Sequence, residues 1–269
     1  MKKRAVCIGI DDYRGEGNDL RGCANDARAW AGLLAGRFGF ARGQVRTLID
    51  REATRRGILD ALEGLVEGAR GGDSCVFFYS GHGTWVPDRG VRDEADGRDE
   101  ALVPWEADFG RLILDDEIRP ILDRIPVGAS FTFIADSCFS GTATRLLPGG
   151  PPGAGRARFM PPPAAVAGGM TAASPLRRRL RAVGEEEMPE IFMSAAAADE
   201  PALEGEFGGA ARGAFSYFAV RELEGSGPGI SCEDLIARVR AALAGAGYAQ
   251  RPQLEGRAEA KRRAVFSPR

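Results

Sequence analysis

Short apolar runs along this chain alternate with longer stretches whose apolar residues recur at helical spacing. Arg4 to Ile10 reads as a short buried strand, Ala24 to Phe38 as a helix, and Gln44 to Ile49 as a second strand. Thr54 to Ala69 follows as a helix capped by Thr54, and Asp73 to Tyr79 as a third strand; Asn25 and Asp26 are capping candidates for the first helix. Ala101-Leu102-Val103-Pro104 and Arg111-Leu112-Ile113-Leu114 suit a small hairpin, Asp115-Asp116 opens a helix reaching about Ile125, and Phe131 to Ala135 is a fourth strand. Order resumes at Ile191 to Ala195, with helices expected over Ala214 to Leu223 and Cys232 to Leu243 and a strand-like Val265-Phe266 near the end. Strand and helix in alternation imply right-handed crossovers, hence an α/β class: a three-layer α/β/α sandwich around a mainly parallel sheet of about six strands.

Two segments break the pattern. Pro87 to Glu100 is an acidic, glycine-containing loop. Leu146 to Pro189 is rich in Pro, Gly, Ala and Arg and holds neither period; it cannot bury enough apolar surface to fold alone, so residues 146–189 are expected to form a flexible loop. No repeat of the pattern occurs, and 269 residues with 44% hydrophobic content suffice for one domain over 1–269. A net charge of −2, with both signs mixed along the chain, gives no electrostatic reason to expect nucleic acid or membrane as a partner. Lys2-Lys3-Arg4 precedes only a short strand-like run, unlike a signal peptide, and no apolar stretch reaches spanning length, so a cytoplasmic protein is expected. Five cysteines without framework spacing argue against a disulfide scaffold, and one histidine without a Cys-x-x-Cys pair argues against zinc.

The single histidine, His82, lies in Tyr79-Ser80-Gly81-His82-Gly83 at the end of the third strand, and Asp136-Ser137-Cys138-Phe139-Ser140-Gly141 ends the fourth. Parallel neighbours put their carboxyl ends on one sheet edge, where ligands bind in open α/β folds. A thiol and an imidazole brought together there are what a cysteine-nucleophile hydrolase needs. Cys138 and His82 are therefore the candidate nucleophile and base, whereas Cys7 and Cys75, inside strands, read as inert core residues. Glycine on both sides of His82 indicates close backbone approach.

At these two motifs the chain resembles the caspase-like cysteine peptidases and, within them, the metacaspases. A histidine roughly 50 residues before the cysteine is the caspase spacing, and Asp-Ser before the nucleophile with Ser-Gly-His-Gly is the metacaspase form. The resemblance implies a caspase-like fold and a cysteine endopeptidase acting on proteins or peptides by acyl transfer. Backbone N–H groups near Gly83 and Cys138 would form the oxyanion hole, and a backbone carbonyl can orient the imidazole. It also places Asp136, and Asp26 of Gly22-Cys23-Ala24-Asn25-Asp26, in the pocket for the residue before the scissile bond, with Cys23 and Ser80 at further pocket positions. Two carboxylates there favour Arg or Lys.

In calcium-activated members of the family Asp99, Asp115 and Asp116 match three ligand positions, and Asp93, Glu94, Asp96 and Glu100 add oxygens nearby; the fourth position is Arg145. Ca²⁺ is thus a candidate and no cofactor is required, a solvated acidic loop being the alternative. Arg177-Arg178-Arg179-Leu180-Arg181 fits the enzyme's own specificity, and Glu185-Glu186-Glu187 partly cancels its field. Cleavage there, by a second molecule or an upstream activating protease, is expected to raise activity. A catalytically silent scaffold with the same fold, and a ligase or transpeptidase using the same thioester, stay open as alternatives. A serine hydrolase is disfavoured for want of a Gly-x-Ser-x-Gly elbow.

Overall fold

The computed structural model describes residues 1–15, 17–87, 98–139, 154–164, 184–197 and 200–268. In chain order the elements are β1 (Lys3–Gly9), α1 (Cys23–Arg37), β2 (Val45–Ile49), α2 (Arg55–Glu67), β3 (Ser74–Ser80), β4 (Gly83–Pro87), β5 (Arg98–Leu102), β6 (Ile113–Leu114), α3 (Asp115–Leu122) and β7 (Ser130–Asp136). After these come β8 (Ala154–Ala157), β9 (Ile191–Ser194), β10 (Leu203–Phe207), β11 (Ala210–Gly213), α4 (Ala214–Ser226), α5 (Cys232–Gly245), β12 (Gln253–Glu255) and α6 (Ala258–Lys261).

Six strands form the central sheet in the order β12-β9-β7-β3-β1-β2, all parallel except β12, which runs antiparallel to β9. Side chains of successive strand residues point to opposite faces, and each strand feeds two cores accordingly. Ala5, Cys7, Val76 and Phe78 pack with Trp30, Leu33 and Leu34 of α1, Phe215 and Phe218 of α4, and Leu235 and Val239 of α5. Val6, Ile8, Phe77 and Tyr79 pack with Ile58, Leu62 and Leu65 of α2 and with Ile118, Ile121 and Leu122 of α3. The expected three layers are therefore present, and β3, covered on both faces, is buried along its whole length.

Thr54 caps α2 as the sequence predicts, its Oγ1 accepting the Gly57 N–H at 3.1 Å. The capping expectation fails at α1. Its N-cap is Gly22 without a side-chain bond, and the free N–H groups of Cys23 and Ala24 are taken at 2.7 and 3.1 Å by the carboxylate of Asp11, from the loop after β1. Asp26 is thereby released for the site described below.

One further expectation is corrected. Val265-Phe266 forms no strand: Phe266 is left-handed, with φ 56°, and its ring packs edge-on against Trp30, Phe38 and Phe40. Its apolar character serves a turn, and the sixth strand is β12. The expected hairpin at 101–114 is present as β5 and β6, and Gly83–Pro87, pairing with Arg98–Leu102, extends it to a three-stranded sheet, β4-β5-β6. In the span 146–189 a strand exists, β8, which adds antiparallel to β10 in a second three-stranded sheet, β11-β10-β8. Phe159, Met160 and Met188, from the described parts of that span, are buried. The β10–β11 hairpin itself turns on Gly208-Gly209, both with positive φ (60° and 81°), the glycine pair that a two-residue turn favours. Of the residues singled out from the sequence, Ser140, Gly141, Asp93, Glu94, Asp96, Arg145 and the Arg177–Arg181 cluster lie outside the described residues.

Candidate active site

The pairing register of β3 and β7 builds the site. Ser80 is opposite Asp136 at their carboxyl ends, so His82 and Cys138, each two residues further on, leave the sheet side by side. Glycines let the two turns approach. A Cβ on Gly83 would come within 2.4 Å of the Cys138 carbonyl oxygen, and one on Gly81 within 2.6 Å of the Tyr13 hydroxyl.

His82 is buried and its ring is held from three sides. Nε2 lies 2.7 Å from the Asn18 carbonyl oxygen, the backbone N–H donates to the Tyr13 hydroxyl at 2.7 Å, and the Tyr13 ring packs tilted against the imidazole at 5.0 Å. The backbone-carbonyl partner expected from the sequence is present, and Nδ1 is left without a hydrogen bond among the described residues. Burial pushes the imidazole down to about 4; the Asn18 carbonyl opposes this, and the charges of Arg158 and Arg156 add to it. His82 is therefore neutral at pH 7 in this state.

Cys138 is 2% exposed, and its Sγ lies 3.3 Å from the Glu200 carbonyl oxygen. Its backbone N–H and that of Gly83 converge on one acceptor, the carbonyl oxygen of Arg158, at 3.1 and 3.0 Å. These are the two donors expected for an oxyanion hole. Burial raises Cys7 far above its ordinary value and Cys75 to about 11, so both are inert thiols.

The pocket residues named from the sequence meet around the same Arg158, which is fully buried. Its Nη2 is 2.7 Å from Asp26 Oδ2, and its Nη1 lies 2.9 Å from Asp136 Oδ1 and 2.8 Å from Ser80 Oγ. Ser80 donates in turn to Asp26 at 3.2 Å. Burial raises the Asp26 carboxyl above its usual range, Arg158 pulls it back, and the neighbouring Asp136 pushes it up again. Cys23, also fully buried, sits close enough to feel Arg158, Asp11 and Asp26, and burial holds its thiol protonated.

Sequence reasoning missed several residues of this site. Arg212 holds Asp26 Oδ1 through Nε at 2.6 Å, and the Gly213 N–H donates to Oδ2 at 2.9 Å. Ser216 fixes Asp136 Oδ2 through its hydroxyl at 2.6 Å and its N–H at 3.1 Å. Arg158 carried one usable signal: Arg156-Ala157-Arg158-Phe159-Met160 is an apolar-basic run inside a stretch otherwise dominated by Pro, Gly and Ala.

Of the acidic residues named from the sequence, Asp99, Glu100, Asp115 and Asp116 lie among the described residues. Asp99 is buried, and burial followed by the charges of Asp116 and Asp99 raises the Asp115 carboxyl to about 7. Among the described residues no group of three or more His, Cys, Asp or Glu is placed to hold a metal ion, whereas Ca²⁺ takes six to eight oxygens. Among the described residues, no helix is long and apolar enough to cross a membrane.

A family model described as metacaspase, peptidase C14 domain, matches residues 3–147. The chain is 42% identical over 146 residues to Metacaspase-4 of Arabidopsis thaliana, covering 52% of this chain and 34% of that protein. It is 41% identical over 152 residues to Metacaspase-1 of Cryptococcus neoformans, covering 54% and 33%. The chain thus spans about a third of the length of these relatives. The crystal structure of protein GSU0716 from Geobacter sulfurreducens aligns with a TM-score of 0.73 over 100% of this chain and 99% of that one, at 22% identity, and shares the fold.

Proposed function

From the premise that the chain belongs to the metacaspase family, peptidase C14, we propose that it is a cytoplasmic cysteine endopeptidase cutting proteins after Arg or Lys through Cys138 and His82. The observation that carries the specificity is the guanidinium of Arg158, held by Asp26, Asp136 and Ser80 with no solvent contact. A buried cation is tolerated only where opposite charge and hydrogen bonds replace its water. This pocket supplies both, and an Asp side chain there would meet two like charges.

In the proposed reaction Cys138 Sγ attacks the carbonyl carbon of the residue seated in the pocket. Charge developing on the carbonyl oxygen is met by the N–H groups of Gly83 and Cys138, donors already fixed by the fold, so no reorganisation is needed as the charge appears. The neutral imidazole of His82 takes the thiol proton and passes it to the leaving amine, with the Asn18 carbonyl keeping the ring oriented. Water then hydrolyses the thioester. The reading requires no cofactor, and it retains activation by cleavage within the span 146–189.

Peptides differing only in the residue before the scissile bond test this reading. Arg and Lys substrates should be turned over, and Asp substrates should not. Preference for Asp would refute the pocket assignment, and turnover by Cys138→Ala within tenfold of the wild type would remove the nucleophile.

A further inference from the structure

Both main-chain groups of His82 are held by phenol hydroxyls. Its N–H donates to Tyr13 Oη at 2.7 Å, and its carbonyl oxygen accepts from Tyr79 Oη at 2.8 Å. The two hydroxyls are hydrogen-bonded to each other as well. A hydroxyl has one proton to give and two lone pairs with which to accept. Tyr13, having accepted from His82, gives its proton to Tyr79, which shares its own between the carbonyls of His82 and Val103, each at 2.8 Å. The chain of bonds closes on the residue where it began. Tyr13 is 2% exposed and Tyr79 is fully buried, so water does not compete for these bonds.

The chain around His82 is shaped to this pair. A Cβ on Gly81 would stand 2.6 Å from the Tyr13 hydroxyl and 2.7 Å from that of Tyr79, so position 81 has no room for a side chain. Tyr13 belongs to the loop between β1 and α1, and so does Asn18, whose carbonyl meets the ring at Nε2. Asp19 joins the two by accepting the Tyr13 N–H through Oδ1 at 3.2 Å, and the Leu20 N–H donates to the Asp11 carbonyl at 2.9 Å across the base of the loop. One piece of chain therefore grips both the backbone and the imidazole of His82.

Tyr79 acts on the peptide that follows. The His82–Gly83 bond is planar and trans, so its carbonyl and its N–H point opposite ways. With the carbonyl drawn to Tyr79 and to the Val103 N–H at 3.1 Å, the Gly83 N–H is sent the other way, to the point where it converges with the Cys138 N–H. Filling the core does not call for this arrangement. A buried phenol needs a hydrogen-bond partner, but any interior carbonyl would serve, and here two phenols converge on the one residue that carries the base.

We propose that Tyr13 and Tyr79 are positioning residues of the reaction: Tyr13 holds the imidazole in place for proton transfer, and Tyr79 aims the Gly83 N–H at the developing oxyanion. The inference rests on the Cys138–His82 reading above and adds two residues that act only through His82 and Gly83.

Tyr13→Phe and Tyr79→Phe each remove one oxygen and keep the ring, and an Arg peptide substrate with proton NMR of the single histidine tests them. Both should lower kcat while KM stays within about twofold of the wild type, because the pocket is untouched. Tyr13→Phe should lose about a hundredfold, since the His82 N–H has no other acceptor among the described residues. Its histidine resonance should also titrate at higher pH than that of the wild type, as water reaches the loosened ring. Tyr79→Phe should lose about tenfold, since the Val103 N–H still holds the carbonyl, and should leave the titration where it is. Should Tyr13→Phe fail to fold, the same two measurements on Asp19→Ala, which frees the loop and keeps both phenols, take its place. A kcat within about twofold of the wild type in either variant overturns the role given to that tyrosine and leaves the peptidase reading standing. A Tyr13→Phe that loses activity with its histidine titration unmoved overturns the holding of the imidazole. A wild type inert toward every Arg and Lys peptide overturns both the inference and the reading it rests on.

Discussion

At the scale of single residues, His82 offers the sharpest measurement because it is the only histidine in the chain. Its imidazole binds a proton at about 6.5 when unfolded and at about 4 when buried here. Between those values the unfolded chain binds more protons, so the stability contributed by the neutral, buried ring is complete above 6.5 and is lost as pH falls toward 4. The single histidine resonance in a proton NMR titration should therefore have its midpoint near 4, and a midpoint at 6.5 or above would contradict the burial described. Asp136 and Asp26 should respond differently to mutation. Asp136→Asn should cut kcat/KM for Arg peptides by about a hundredfold or more, as expected when a buried guanidinium loses a carboxylate at a cost of roughly 3 kcal/mol, because Ser216 still anchors the amide. Asp26 also ties down Arg212 and the Gly213 N–H. Asp26→Ala should lower the unfolding midpoint along with the activity, and a variant that loses activity alone would show those ties to be incidental.

At the scale of elements, α3 is joined to the start of β9 by one buried ion pair. Arg119 meets Glu190 through two bonds of 2.7 and 3.2 Å, and the Glu190 side chain has no exposure. Arg119→Ala leaves that carboxylate buried and unpaired, and the expected loss in urea unfolding is about 3–5 kcal/mol; a loss under about 1 kcal/mol would mean that water reaches Glu190. Thr54→Ala, which removes the cap of α2, should cost about 1 kcal/mol by the same measurement. The elements also show where local pattern was legible. Helices α2, α4 and α5 carry their spacing and fall close to the expected bounds, whereas β8 is a four-residue strand whose only strand partner among the described residues is β10, far along the chain.

At the scale of the whole molecule, a cut within the span 146–189 would separate β1 to β7 from β9 to β12, yet β9 pairs with β7 inside the central sheet. The fragments should co-elute under native conditions and part only in denaturant; separation without denaturant would show that this pairing alone cannot hold them. Calcium titrated against an EDTA-treated sample should stimulate little, because Arg145 stands where a ligand is expected, and large saturable activation abolished by Asp115→Ala would reverse that view. The sequence by itself determined the layer order, the sheet's parallel direction, and the positions of His82 and Cys138 at two strand ends, because strand and helix periods are local and a parallel register carries their ends to one edge. It also named Asp26, Asp136, Ser80 and Cys23, through a motif resemblance. Only the tertiary structure decided which cation those carboxylates hold. Arg158 lies in a stretch with no period of its own, and Arg212 and Ser216 come from elements far along the chain. Charge pairing across such distances depends on where the backbone returns, which no local pattern of residues records.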